Sequence, residues 1–135
     1  MNHFAKILRE NHMKVTPQRI AIYEVLSNTK EHPSAEMIYQ KLSSIYSTMS
    51  LATVYKSLEA FKKADLLQEL NVGEYSFRYD ATTIPHPHII CTKCHCVEDL
   101  DDHLFGDLMD KVDSVTDYTV EKLQLYFYGI CPRCK

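Results

Sequence analysis

The sequence predicts an α+β protein in two parts, a helical head closed by a β-hairpin and a small α/β tail. Three observations lead there. Hydrophobic spacing is helical to about residue 64 and then switches to a period of two. The run ATTIPHPH, residues 81 to 88, is punctuated by Pro85 and Pro87 and marks a boundary. Charge divides at nearly the same place: residues 1–64 hold nine Lys/Arg against five Asp/Glu, a net of +4, and residues 65–135 hold six against thirteen, a net of −7. The expected organisation is residues 1–80, a hinge at 81–85, and residues 86–135.

Composition excludes several classes. A chain of 135 residues with 45% hydrophobic content can bury a core. It has no apolar run approaching the roughly 18 residues of a membrane span, and MNHFAKILREN mixes charge with hydrophobes unlike a signal peptide. Five cysteines without an export signal point to metal or redox use in the cytosol rather than to disulfides.

The head begins with a short helix around residues 2–12. In VTPQRIAIYEVLSN, Thr16 is a natural N-cap and Pro17 suits the first helical position, with Ile20, Tyr23 and Leu26 on one face. In HPSAEMIYQKLSSIY, Ser34 caps, Glu36 complements the helix dipole, and Ala35, Ile38, Leu42 and Ile45 form the apolar stripe. Ser50 caps the next helix, where Leu51, Val54, Leu58 and Phe61 make a narrow seam. Ala52, Thr53, Lys56 and Lys63 lie outward with Tyr55 at the margin. That outer face is either ordinary solvated surface or a surface offered to a partner.

LLQEL and EYSFRYD then flank NVG, a turn in which Gly73 can take positive φ; Tyr75, Phe77 and Tyr79 alternate with Ser76, Arg78 and Asp80. Helices followed by a hairpin is the order of a winged helix-turn-helix, whose last helix enters the DNA major groove. In the tail, IIC and CVEDLD read as short strands, DHLFGDLMDKVDSV as a helix, and YTVEKLQLYFYGI as a long strand. In that strand Leu123, Leu125 and Phe127 share one face while Tyr126, Tyr128 and Ile130 share the other, so both faces need cover. A part this small recruits a metal, a partner subunit, or both.

The stretch HPHIICTKCHC contains six potential ligands in eleven residues. Cys91-x-x-Cys94 and Cys131-x-x-Cys134 are paired knuckles, and four thiolates at about 2.3 Å complete a tetrahedral structural Zn(2+) site. A thioredoxin-like redox pair lacks its βαβ setting. His86 and His88, two apart in an extended segment, share a face and can address one ion, with Asp80 and Asp99 as candidate companions. Imidazoles with carboxylates suit iron, manganese or zinc.

KVTPQR, HPSAEMIY, SLATVYKSLEAF, FRYD, HPHIICTKC and YGICPRC together resemble the ferric-uptake regulator superfamily of bacterial metal-responsive repressors, across essentially the whole chain. The resemblance implies an N-terminal winged helix-turn-helix DNA-binding domain and a small C-terminal α/β dimerisation domain with a four-cysteine zinc site. It also implies a regulatory Fe(2+) or Mn(2+) site that adds His32 to Asp80, His86, His88 and Asp99. The expected partners are double-stranded operator DNA and a second copy of the chain, with no membrane.

Within that superfamily the chain is most similar to the peroxide-sensing branch, distinguished by aspartate where iron-uptake members have glutamate; Asp99 holds that place. A one-residue slip on the strand would turn Glu98 inward instead. Membership implies hydrogen peroxide as signal and His32 and His86 as oxidation targets, in a sensor consumed by its signal and not an enzyme. Tyr55 and Lys56 would reach base edges with Thr53 on the same outward face, and Lys14 and Arg19 would meet phosphates or the minor groove.

In CTKCHC the superfamily commonly has glycine after the second cysteine, where this chain has His95 and then Cys96. His95 is expected at the surface, and Cys96 as a spare thiol or small buried residue outside both sites. EKLQLYFYG contains no histidine, so the additional metal site of some iron-uptake members is expected to be missing.

Rival readings are an iron- or zinc-uptake repressor without peroxide chemistry, a zinc hydrolase on His86, His88 and Asp80, and a zinc-ribbon interaction module. The hydrolase lacks an identifiable base. The outward Tyr55–Lys56 pair beside the basic head weighs against the module.

Overall fold

A computed structural model describes residues 3–73 and 76–135. The chain divides into two compact units, Met1–Thr83 and Ile84–Lys135.

The first unit contains α1 (His3–Glu10), α2 (Pro17–Ser27), α3 (Ala35–Ser43), α4 (Leu51–Lys63), β1 (Gln68–Gly73) and β2 (Ser76–Asp80). Three caps act as the sequence predicts: Thr16, Ser34 and Ser50 accept from the amides of Arg19, Met37 and Thr53. α1 and α4 end in left-handed residues, His12 (φ 59°) and Asp65 (φ 58°). In each, the next amide reaches back five residues, Met13 to the Leu8 carbonyl and Leu66 to that of Phe61, both at 2.9 Å.

Seams from α1–α4 and the hairpin meet in one core that includes Leu8, Ile22, Ile38, Val54, Leu58, Phe61 and Tyr79. Full burial of each large aliphatic or Phe side chain stabilises the unit by about 1.5–3 kcal/mol. Ile45 does not join them. α3 stops at Ser43, so the predicted stripe loses its last member and Ile45 is 69% exposed. Met49, just before α4, is buried in that core.

β1 and β2 pair antiparallel, Gln68 opposite Asp80, with an irregularity between Asn71 and Gly73. NVG therefore belongs to β1 rather than forming the turn; Gly73 takes φ +120° as expected. Tyr75 lies outside the described residues. Helices α1–α4 with this hairpin make the winged helix-turn-helix arrangement.

The second unit contains β3 (His88–Cys91), β4 (Val97–Asp99), a 3-10 turn (Asp102–Phe105), α5 (Leu108–Val115) and β5 (Tyr126–Gly129), in sheet order β4-β3-β5. β3 pairs antiparallel with β4 and parallel with β5. Two expectations need correction. The helix predicted across DHLFGDLMDKVDSV is interrupted at Gly106, whose φ of +53° ends the 3-10 turn before α5 starts. The long strand predicted across YTVEKLQLYFYGI is four residues long, because its ladder partner β3 is itself only four residues long.

The buried apolar set of this unit is thin: Ile90, Cys91 and Val97 stand out, while Phe127, Tyr128 and Ile130 of the β5 segment are exposed. Among the described residues no helix is long and apolar enough to cross a membrane.

Candidate metal centres

Parallel pairing of β3 with β5 creates the sulfur centre. The register sets Cys91 beside Gly129, and the Thr92 amide donates to the Gly129 carbonyl at 2.8 Å. Both strands therefore run into their knuckles at the same end of the sheet. Cys94 Sγ lies 3.7 Å from Cys131 Sγ, and a tetrahedron of about 2.3 Å zinc–sulfur bonds has edges of about 3.8 Å. The donor set fits zinc.

Amides of Cys94, Cys131 and Lys93 point at Cys91 Sγ, each at 3.4 Å. Those of Cys94 and Cys131 do most to pull the Cys91 thiol down to about 5. Cys94 is also lowered, first by the Cys96 amide. Cys134 is pushed up to about 12, first by the neighbouring Cys131 thiol and then by desolvation. A cation bound among sulfurs this close would take them as thiolates and release their protons.

Cys96 is where the structure departs most from expectation. Its sulfur is not outside the centre, because ligand atoms of Cys91, Cys94, Cys96 and Cys131 all lie within 4.8 Å of one another. His95 is exposed, as expected, and adopts φ +64°. That left-handed residue turns the chain so that the Cys91 amide donates to the Cys96 carbonyl at 3.0 Å. Only φ could have signalled this, and φ is not written in residue identity.

The opposite end of β3 carries oxygen and nitrogen ligands. His88 pairs with Asp99 across the strands. His86 Nε2 is 2.9 Å and His88 Nε2 3.3 Å from Asp99 Oδ1, and the two rings are 4.4 Å apart. Glu98 sits opposite Ile89 and lines a groove with Ile89, Ile130 and Cys96, so Asp99 is the carboxylate beside the histidines.

In the first unit, His32 and Asp80 are both buried, with Nε2 3.1 Å from Asp80 Oδ2. The Tyr79 amide donates to the Pro33 carbonyl at 3.0 Å, aligning the end of β2 with the His32 loop. Asp80 Oδ1 accepts from the Thr82 amide at 2.8 Å. His32 itself has φ +53°, and Arg78 Nη1 donates to the carbonyls of His32 at 2.9 Å and Glu31 at 3.3 Å. Sequence reading missed Arg78, since an alternating charged strand residue carries no sign of what it anchors.

His32 and His86 share a local device. Each Nδ1 faces the carbonyl two residues earlier, Lys30 at 2.8 Å and Ile84 at 2.7 Å. A carbonyl only accepts, so Nδ1 carries the proton and Nε2 presents its lone pair. Each Nε2 faces a carboxylate oxygen, and two lone pairs hold that distance only with a proton or a cation between them. Backbone anchoring of one imidazole nitrogen is how metal-binding histidines are oriented, so the donor sets fit a divalent cation.

On the expected DNA face, Lys56 is exposed on α4. Tyr55 is 44% exposed, but its hydroxyl donates to Glu36 Oε1 at 2.6 Å. This bond is the first cause of the lowered Glu36 pKa. Thr53 Oγ1 bonds the Ser50 cap at 2.9 Å, and Arg19 Nη1 donates to the Lys14 carbonyl at 3.2 Å.

A winged helix with a two-knuckle sulfur centre and paired histidine–carboxylate clusters defines a class of metal-binding, DNA-directed proteins. The chain belongs to the Ferric uptake regulator family, whose sequence pattern matches residues 10–128. It is 53% identical to the transcriptional regulator PerR of Clostridium acetobutylicum over 135 residues, 100% of this chain and 98% of that protein. The solved peroxide stress regulator of Campylobacter jejuni superposes with a TM-score of 0.78 at 31% identity, covering 99% of this chain and 100% of that one. The ferric uptake regulator of Francisella tularensis, solved with iron, gives 0.79 at 27% identity over 90% of this chain and 94% of that one.

Proposed function

We infer that this chain is a metal-dependent transcriptional repressor that senses hydrogen peroxide. The observation carrying the reading is the matched pair of Nδ1-anchored histidines, His32 and His86, each with Nε2 against a carboxylate. Cys91, Cys94, Cys131 and Cys134 would hold structural zinc. His32, Asp80, His86, His88 and Asp99 would together hold one Fe(2+) or Mn(2+).

Three neutral imidazoles and two carboxylates carry −2, which a divalent ion neutralises; without it the carboxylates repel. Ion binding then selects the arrangement of the two units in which a dimer's reading helices match successive major grooves. The dimer is supported by the uncovered apolar residues Phe127, Tyr128 and Ile130. Lys56 would meet base edges, Tyr55 would offer its ring to thymine methyls while Glu36 holds its hydroxyl, and Thr53 would support the start of α4. Lys14 and Arg19 would contact phosphates. The protein would act in the cytoplasm and turn over no substrate.

When bound, Fe(2+) would supply the electrons that open the peroxide O–O bond. His32 and His86, the two Nδ1-anchored imidazoles, would each take one oxygen atom from a peroxide whose remainder leaves as water, and an oxidised ring would hold the ion less well. Asp99, the shorter carboxylate beside the histidines, supports this over an uptake repressor without peroxide chemistry.

Operator binding with Fe(2+) or Mn(2+), before and after dilute peroxide, tests the proposal. Expected are loss of binding and added oxygen on the His32 and His86 peptides with Fe(2+), and protection with Mn(2+). Unmodified histidines with intact operator binding would leave the uptake-repressor alternative standing.

A further inference from the structure

The sulfur centre offers five cysteines to a metal that takes four. We propose that Cys96 is a zinc ligand, sharing the fourth coordination position with Cys134 around the fixed trio Cys91, Cys94 and Cys131.

The trio is fixed by backbone. Cys91 and Cys94 belong to one knuckle, and the β3–β5 register delivers Cys131 to it, with its amide on Cys91 Sγ at 3.4 Å. Two sulfurs compete for what remains. Cys134 completes the second knuckle, its amide donating to the Cys131 carbonyl at 3.0 Å. Cys96 enters through the left-handed turn at His95, and its sulfur joins those of Cys91, Cys94 and Cys131 within a mutual 4.8 Å.

Cys96 is not packed as a core residue. It is half-buried, and its sulfur lies among those of Cys91, Cys94 and Cys131.

The assignment rests on zinc occupying this centre, and the experiment separates the two. Full-length wild type, Cys96→Ser, Cys134→Ser and the double variant are equilibrated with chelator, and bound zinc is measured by elemental mass spectrometry. Wild type and both single variants are expected to keep about one zinc per chain, and the double variant to lose at least about tenfold. A Cys134→Ser protein as depleted as the double variant would overturn the role of Cys96 while leaving zinc in place. Zinc-free wild type would overturn both.

Because Cys134→Ser could misfold, iodoacetamide labelling of the wild-type protein, read cysteine by cysteine, gives a second measure. Stripping zinc is expected to raise the Cys96 labelling rate at least about tenfold. A Cys96 rate indifferent to zinc would refute the assignment.

Discussion

Arg78→Ala tests whether the His32 loop is held in place for metal binding. His32 sits at φ +53°, a conformation costing a non-glycine residue roughly 1–2 kcal/mol. Arg78 opposes that cost through its bonds to the His32 carbonyl at 2.9 Å and the Glu31 carbonyl at 3.3 Å. A hydrogen bond from a charged donor nets about 1.5–3 kcal/mol, and the longer, exposed one adds little. Removing both leaves the loop free to relax by about 2 kcal/mol, which at about 1.4 kcal/mol per decade corresponds to roughly thirtyfold. Mn(2+) affinity of the zinc-loaded protein, measured by calorimetry, should fall by about 10–100-fold while zinc content is unchanged. Arg78→Lys, with its charge but without the planar fork, should fall between. If Arg78→Ala binds Mn(2+) within about twofold of wild type, the loop needs no anchor and the reasoning fails.

Three more outcomes follow from the same structure. Removing zinc should abolish amide-exchange protection in residues 84–135, whose buried apolar set is small, while peptides of α2 and α4 stay protected; unchanged protection across β3 would refute a structural role for the ion. His95→Gly should raise stability by about 0.5–1 kcal/mol in thermal melts, since an exposed side chain at φ +64° contributes strain and little packing. Tyr55→Phe should cost about 0.5 kcal/mol at pH 7, discounted for exposure. Glu36 has a lowered folded pKa, so this contribution is present above its unfolded value and is lost as pH falls through the folded one. A cost that persists in acid would argue against the Tyr55–Glu36 bond as its source.

Local chemistry was legible in residue identity. Thr16, Ser34 and Ser50 had to cap because a side-chain oxygen before an apolar-periodic run satisfies amides the helix leaves open, and each does. The Leu51–Phe61 seam announced its burial by spacing, and two knuckles announced a sulfur centre before any contact was known. Ile45 broke the same logic, because periodicity says which face a residue would occupy and not where the helix stops.

What tertiary structure decided was everything depending on register and φ. β3 and β5 lie parallel, so both knuckles meet at one end; a sequence gives strands but not their pairing. Asp99 rather than Glu98 stands beside His86 and His88 because pairing with β4 places it opposite His88, and one residue of slip would have reversed the choice. A left-handed turn at His95 moved Cys96 from spare thiol to neighbour of the metal ligands. Residue types set which atoms can bind a cation. Hydrogen-bonded register and a few backbone dihedrals, summed over the whole chain, set which of those atoms meet.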